Sequence, residues 1–470
     1  MTILAKNEAQ RLFLHHLLSV FFHENAKEFF VEAKRSGENA LIFLSRNGQT
    51  SSGNAPLNLS VHREEKRAEN AAFGLAFFRA AVAFTDYVPP YGTLIGVRPV
   101  KVPLFYENSG FSREKVLSVL KEEFLVSPEK AELLAELSKL EKHFAAQWDR
   151  KEAMLYVSIP FCPSRCSYCS FISSSAPVHL SLIPDYLTLL KEEIRQTAAF
   201  LRKKKRTIKA VYIGGGTPGI LTAEQIRDLI LSIRGEFEMS AVKEFSVEIG
   251  RPDTVTDEKL SVMRSLGVDR ISINPQTTND ATLLRIGRNH TANDFFDAMR
   301  LAKKYDFPCI NCDLIAGLSG ETPTHFLHSL QEVLSFDPEN ITIHALCRKK
   351  SASDRASDEV REPFQEAIAN AHRICIERHY KPYYLYRQKE AVSDLENLGL
   401  AKKGKIGIYN LAMMEDLCDI FSCGSGGIGK ILPRKEGGKI RRFAAYKYPY
   451  ESLADPDRIT RNLAEMNDLI

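Results

Sequence analysis

From Met154 onward, short apolar runs alternate with longer stretches in which apolar residues recur every three or four positions. Runs of four to eight apolar residues read as strands buried on both faces, and the longer period reads as amphipathic helix. This pattern predicts six strands, at 155–159, 210–213, 243–249, 270–274, 309–314 and 341–345. Helices are expected between them, for example over 183–200, 222–233 and 292–304. Strand–helix alternation predicts a parallel sheet with helices outside it, and six such units make an open, partial βα barrel. Sites in such sheets form at the C-terminal ends of the strands.

Residues 1–150 read as a separate α+β region. A helix is expected over 64–84, with Phe73, Phe77, Ala81 and Phe84 on one face. Ser127 and Pro128 mark another helix start, the serine as N-cap and the proline in the first turn. Leu133, Leu137, Leu140, Phe144 and Trp148 then form one apolar stripe, read as core packing. Beyond about residue 350 the character changes again. A long helix is expected over 360–379, followed by a glycine-rich patch at 424–429 and a polar tail. The expected division is therefore 1–150, an α+β extension; 151–350, the barrel; and 351–470, a substrate-side or lid domain.

Composition narrows the function classes. The chain has 470 residues, 44% hydrophobic and 26% charged, with a net charge of +4, too mild to argue for nucleic acid. The basic run 202–206 reads as a solvated helix end that complements the helix dipole. No run of 18 apolar residues predicts a membrane span, and the N-terminus carries no signal-peptide pattern, so cytoplasm is the expected location. Nine cysteines without even spacing do not resemble a disulfide framework.

Three of those cysteines crowd into YVSIPFCPSRCSYCSF, directly after the first barrel strand. Cys162, Cys166 and Cys169 have the spacing C-x3-C-x2-C. Thiolates are the ligands that iron–sulfur clusters require. Three thiolates on a [4Fe–4S] cube leave one iron open to an amine and a carboxylate, both offered by the methionine end of S-adenosylmethionine (SAM). A zinc site with a fourth ligand elsewhere is the alternative; zinc sites usually come as two pairs, and His179 is the one histidine nearby. Cys309 and Cys312 lie three apart on a strand, facing opposite sides, and read as buried thiols, while Cys347 and Cys375 read as packing residues. Cys418 and Cys423 would need unidentified partners to hold an auxiliary cluster.

Further candidates follow later strands. Gly214-Gly215-Gly216-Thr217-Pro218 is either an ordinary tight turn or a segment where backbone closely approaches a ligand. Glu248 ends the third strand, where an acidic group either binds ribose hydroxyls or caps a helix. Gln276, Arg288 and Asp313 each have a plain alternative: a loop hydrogen bond, a surface ion pair and a strand-end cap.

The triad, with an aromatic residue just before its third cysteine, resembles the radical SAM superfamily signature. The surrounding run is similar to the oxygen-independent coproporphyrinogen III oxidase branch, in particular its HemZ-type (coproporphyrinogen dehydrogenase-like) subgroup. IGVRPVK (95–101), LKEEFLVSPEKAELL (120–134), EIGRPDTVTDEKL (248–260) and PYYLYRQK (382–389) extend the resemblance to nearly the whole chain. It implies a [4Fe–4S] cluster on Cys162, Cys166 and Cys169. It also implies that Gly215, Gly216 and Thr217 meet the SAM amino and carboxylate groups, and Glu248 its ribose. Gln276, Arg288 and Asp313 would surround SAM or a second SAM-sized ligand, and Tyr156 and Tyr168 would flank it, whereas Phe161 would pack. The implied reaction is anaerobic oxidative decarboxylation of two propionates of coproporphyrinogen III to vinyl groups in haem biosynthesis. A 5′-deoxyadenosyl radical would take hydrogen from the carbon β to the carboxylate. The implied partners are a tetrapyrrole substrate and a reducing donor such as ferredoxin or flavodoxin. Arg251, Arg387 and Lys430 are candidate partners for the substrate carboxylates.

Two other roles fit the same branch: a HemW-type haem chaperone and a radical SAM methyltransferase. Position 158 is Ser where the chaperone group usually has His. Relatives often carry a fourth cysteine at the position of Phe171. The patch CGSGGIGK (423–430) departs from the subgroup's Gly-Ala-Gly-Ala pattern.

Overall fold

The computed structural model describes residues 1–169, 177–347, 364–388, 391, 395–435 and 438–470. Phe171 and positions 360–363 of the expected long helix lie outside the described residues. Two compact units are present, Met1–His143 with Leu385–Lys389, and Phe144–Tyr384 with Glu390–Ile470.

The first unit holds a sheet of β1 (Thr2–Leu4), β2 (Phe30–Ser36), β3 (Asn39–Arg46) and β4 (Gln49–Pro56), in that spatial order. β2, β3 and β4 form an antiparallel meander. Asn47 and Gly48 join β3 to β4, both with positive φ, the two-residue turn whose twist suits a hairpin. Alternation along β3 buries Ala40, Ile42 and Leu44. They pack against helices Glu8–Phe22 and Glu65–Ala81, with Phe21, Phe73 and Phe77 in the same core. The second helix ends three residues before the expected 84, so Phe84 packs from beyond it, 5.2 Å edge-on to Phe29.

The stripe expected after Ser127 is displaced. Helix Pro128–Ala146 buries Ala131, Leu134, Ala135, Ser138 and Glu141 along with Leu137, while Leu133, Leu140 and Phe144 are half-buried at its edge. Small residues allow the closest packing there, and a count of large apolar positions overlooks them. Trp148 lies past the helix and packs in the second unit with Met154 and Ile420.

In the second unit all six expected strands form. They are β5 (Glu152–Ile159), β6 (Thr207–Gly215), β7 (Glu244–Gly250), β8 (Arg270–Ile273), β9 (Cys309–Ala316) and β10 (Asn340–Ala345). They run parallel in sequential order. Helices Ile183–Lys203, Ala223–Glu236 and Ala292–Lys303 lie between them, as expected. The chain after residue 380 widens this sheet with β11 (Lys381–Arg387), β12 (Glu396–Ala401), β13 (Asp419–Cys423), β14 (Ile428–Ile431) and β15 (Arg441–Ala444). The full order is β11-β12-β10-β9-β8-β7-β6-β5-β13-β14-β15. β12 pairs antiparallel with β10, and β13 pairs parallel with β5 as a seventh parallel strand. The sheet is therefore mixed, and the barrel stays open. Within the described residues the expected long helix forms over Phe364–Glu377 and ends two residues early, Arg378 and His379 lying in the turn that follows. Among the described residues no helix is long and apolar enough to cross a membrane.

Asp419 fixes β13 in place. Its buried carboxylate accepts from the Arg206 and Arg434 guanidiniums and, at 2.8 Å, from the Leu432 amide. Asp419→Ala leaves the buried Arg206 uncompensated, and breaking such a pair costs about 3–5 kcal/mol. Urea unfolding of the variant is expected to show that loss; a change below about 1 kcal/mol would exclude Asp419 as the anchor of this strand.

Candidate functional site

The cysteine loop leaves the C-terminal end of β5. Phe161 is fully buried, 5.2 Å edge-on to Tyr186, which anchors the loop's first turn. Cys162, Cys166 and Cys169 follow, each half-buried and free of disulfide. Backbone clamps the loop on one side: the Ser167 amide donates to Ile286 O at 2.9 Å, and the Ser164 hydroxyl to Gly287 O at 2.8 Å. The Arg251 guanidinium braces it further, donating to Ser164 Oγ at 2.7 Å while pairing with Asp253.

The glycine run holds the loop from the other side. The Gly216 amide donates to Ile159 O at 2.9 Å and the Thr217 amide to Phe161 O at 2.7 Å. The Thr217 hydroxyl donates to Cys162 Sγ at 3.3 Å. Gly215 has φ +119°, a region that favours glycine. A Cβ on Gly216 would lie 2.6 Å from Phe161 O and 2.9 Å from Cys162 Sγ. The segment is thus a turn pressed against the first cysteine.

Glu248 sits at the end of β7, where the Tyr212 hydroxyl donates to its Oε2 at 3.0 Å. Burial, helped by the Asp313 carboxylate, pushes the Glu248 carboxyl up to about 7; Tyr212 and Arg288 pull the other way. Asp313 projects from β9, accepts from the Asn311 amide at 2.9 Å and faces His344 at 3.9 Å. Gln276 is joined to the same strand through backbone, its N–H donating to Asp313 O at 3.0 Å. Its φ is +68° and its buried Oε1 has no hydrogen-bond partner. Strain and an orphaned acceptor together mark a residue held for something other than packing. Arg288 donates to Asn274 O at 2.6 Å, and its buried Nε has no partner. Burial works against its charge, but the Tyr168 and Cys166 groups beside it more than restore it.

The two tyrosines occupy different places. Tyr168 lies by Cys166 and Arg288, its ring packed on Leu283, Ile286, Ile315, Leu318 and Leu346. Tyr156 stands inside the barrel, its ring roughly parallel to those of Tyr212 and Tyr409 at 6.1 Å from each. The structure therefore groups Cys162 with Thr217, Cys166 with Tyr168 and Arg288, and Glu248 with Tyr212, with Gln276 just past β8 and Asp313 on β9, one strand further along.

The cations expected to meet substrate are engaged in the fold. Arg251 braces the loop, Lys430 pairs with Asp416 at 2.6 Å, and Arg387 donates to Leu94 O and lies over the Tyr91 ring. Cys309, Cys312, Cys375, Cys418 and Cys423 are buried, and burial raises their thiols. Among the described residues no three His, Cys, Asp or Glu side chains are gathered closely enough to hold a metal ion as they stand. The surroundings of the triad nonetheless fit a cluster: a hydroxyl donor on one sulfur, a guanidinium beside another, and a side-chain-free cradle at Gly216.

A latch beside the loop had no sequence expectation. The Ser158 hydroxyl donates to Ser425 O at 2.6 Å, and the Tyr186 hydroxyl donates to Ser158 O at 2.8 Å. Glu193 accepts from the Gly424 amide at 2.6 Å. The glycine-rich patch after β13 is thereby fixed beside Ser158 of β5, four residues before Cys162. Only the patch's glycines signalled it; its partners are far away in sequence.

A radical SAM superfamily model matches residues 156–333. The oxygen-independent coproporphyrinogen-III oxidase-like protein HemZ of Bacillus subtilis is 35% identical over 382 residues, 78% of this chain and 75% of that one. The haem chaperone HemW of the same organism is 35% identical over 192 residues, 41% of this chain and 49% of that one. The solved structure of Escherichia coli coproporphyrinogen III oxidase (HemN), a radical SAM enzyme, matches with TM-score 0.53 at 20% identity, over 68% of this chain and 73% of that one. That likeness supports the fold. Family membership implies a [4Fe–4S] cluster and SAM. With the triad, its clamps and a HemZ-type likeness that spans most of both chains, the protein belongs to the radical SAM superfamily, within the HemZ-like family.

Proposed function

We propose that the chain is an oxygen-independent coproporphyrinogen III oxidase (dehydrogenase), which decarboxylates two propionates to vinyl groups and yields protoporphyrinogen IX. The observation that carries this reading is the HemZ likeness, 35% identical over 78% of the chain, where HemW chaperones match 41% of it at 35% identity or 63% of it at 29%. A likeness of 382 residues must extend beyond the barrel, into the regions 1–150 or 351–470 that would distinguish one substrate from another.

In this reading Cys162, Cys166 and Cys169 hold the cluster, which with SAM supplies one-electron reduction and hydrogen-atom abstraction. The Thr217 hydroxyl and the Arg288 charge stabilise negative charge on the sulfurs of Cys162 and Cys166. Gly215, Gly216 and Thr217 present backbone to the SAM amino and carboxylate groups, and Glu248 accepts its ribose hydroxyls. Gln276, Arg288 and Asp313 line the nearby strand ends, with the unpartnered atoms of Gln276 and Arg288 turned to ligand. Tyr156 walls the barrel interior and Tyr168 holds the loop against the barrel. Residues 351–470 flank the substrate, a ferredoxin or flavodoxin supplies electrons, and the protein works in the cytoplasm.

The test is anaerobic incubation of the cluster-loaded protein with SAM, reductant and coproporphyrinogen III, read by mass spectrometry. The expected result is loss of two carbon dioxide units with formation of 5′-deoxyadenosine. Deoxyadenosine with unchanged porphyrinogen would rule out this substrate. Tight haem binding without turnover would replace the oxidase reading with the chaperone one, and S-adenosylhomocysteine would point to methyl transfer.

A further inference from the structure

The inner face of β7 carries a row of alternate residues, Glu244, Ser246 and Glu248, and the two carboxylates at its ends have different partners. Glu244 seats helix Ile408–Glu415. The amides of Ile408 and Tyr409 donate to it at 2.6 and 3.2 Å, satisfying N–H groups that a helix start leaves open. Arg270, the first residue of β8, lies 3.6 Å from the Glu244 carboxylate and donates to Lys405 O at 2.7 Å, which ties down the approach to that helix.

So seated, the helix places Tyr409 inside the barrel. Its ring stacks on Tyr212 with centroids 4.6 Å apart and planes at 24°. The hydroxyl of Tyr212 is the donor to Glu248. Gly214 makes room for this pair: a Cβ there would lie 2.5 Å from the Tyr212 ring and 3.0 Å from Glu248 Oε2. The charged and titratable groups facing Glu248 are Tyr212 from β6, Tyr156 from β5, Asp313 from β9, Arg288 from the segment after β8, and Tyr409 from the seated helix.

We infer that Tyr212 is a positioning residue for Glu248, backed by Tyr409, and that this chain of contacts sets the protein's affinity for the ribose of SAM. The inference rests on the reading that Glu248 accepts the ribose hydroxyls. A carboxylate placed by one donor and otherwise packed among tyrosine rings has a fixed direction for its remaining lone pairs. Such a fixed acceptor loses little freedom when the ribose arrives.

Equilibrium binding of SAM to the cluster-loaded protein, without reductant and over a range of pH, tests this. Only the ionised carboxylate accepts both hydroxyls, so affinity is expected to fall as pH drops through about 7. Tyr212→Phe keeps the ring and removes the donor that favours the charged form. It is expected to weaken SAM about tenfold at neutral pH and to move the midpoint to higher pH. Tyr409→Leu is expected to weaken SAM in the same direction. The double variant should lose less than the product of the two single losses, because both act through one hydrogen bond. Wild-type affinity and midpoint in Tyr212→Phe, with weak binding in Glu248→Gln, would overturn the positioning role. Multiplying losses in the double variant would overturn the backing role of Tyr409. Undiminished affinity in Glu248→Gln would instead overturn the ribose reading beneath it. Iron content and circular dichroism of each variant separate these outcomes from loss of the cluster or the fold.

Discussion

Replacing Cys166 by alanine is expected to abolish cluster loading and, with it, reductive cleavage of SAM. In the proposed arrangement three thiolates are the whole protein contribution to a cube that keeps one iron for SAM, so removing one would leave two irons without protein ligands. Even changes to groups that only orient a metal's ligands cost about 10–100-fold in metal affinity; loss of the ligand itself should exceed this. The fold should survive, because Cys166 is half-buried on a loop and contributes little to the core. Its backbone hydrogen bond to the Cys169 amide, 3.1 Å, does not need the side chain. The measurements are iron and sulfide content after anaerobic reconstitution, and 5′-deoxyadenosine release with reductant. A variant that still carries four irons and cleaves SAM at the wild-type rate would remove Cys166 from the cluster, leaving zinc or a different ligand set to be considered.

The parts of this site that were legible in sequence are those whose signal is local. The triad is compact, and the six barrel strands announce themselves because each is a short apolar run bounded by turns. The glycine run was ambiguous until its partners were visible. Nothing in GGGTP says that Gly216 must clear Phe161 O, which lies 55 residues earlier. Other features had no local signal at all. Tyr156, Tyr212 and Tyr409 stack from three distant stretches, and the pairing of β13 with β5 joins residues more than 260 apart. β12, ENLGLA, is buried along its whole length yet lacks the β-branched and aromatic residues that mark a strand. The three candidate substrate cations illustrate the converse difficulty. A charge in sequence does not reveal whether its partner is solvent, substrate or the next turn of chain, and Arg251, Arg387 and Lys430 all have partners in the fold.

The part of the chain after the barrel therefore does more than flank it. β13 widens the sheet beside the strand that carries the cysteines, its trailing glycine patch is latched to Ser158, and the helix between β12 and β13 fills the barrel interior with Tyr409. Each contact reaches a different component of the site: the base of the cysteine loop, the wall beside it, and the carboxylate at the end of β7. A barrel cut off after β10 would keep all three cysteines and still lack these supports.

The steric argument at Gly216 leads to the second large effect. Gly216→Ala adds one methyl group at a position where the obstacles are a backbone carbonyl and a ligand sulfur, 2.6 and 2.9 Å from the new Cβ. A flexible side chain could swing aside; Phe161 O cannot, because it accepts the Thr217 amide at 2.7 Å and belongs to a residue buried without exposure. Relief must come from separating the glycine turn from the cysteine loop, which also breaks the Thr217 donation to Cys162. Overpacking of this kind costs about 1–3 kcal/mol in stability, so the protein should remain folded while cluster affinity and SAM cleavage fall about 10–100-fold, as for other groups that orient ligands. The same substitution at Gly235, near the end of helix Ala223–Glu236, where a Cβ meets nothing within 4 Å, supplies the contrast. There alanine should stabilise the helix slightly and leave the cluster untouched. If Gly216→Ala loaded and cleaved as well as Gly235→Ala, the close approach of the turn to Cys162 would have no part in building the site.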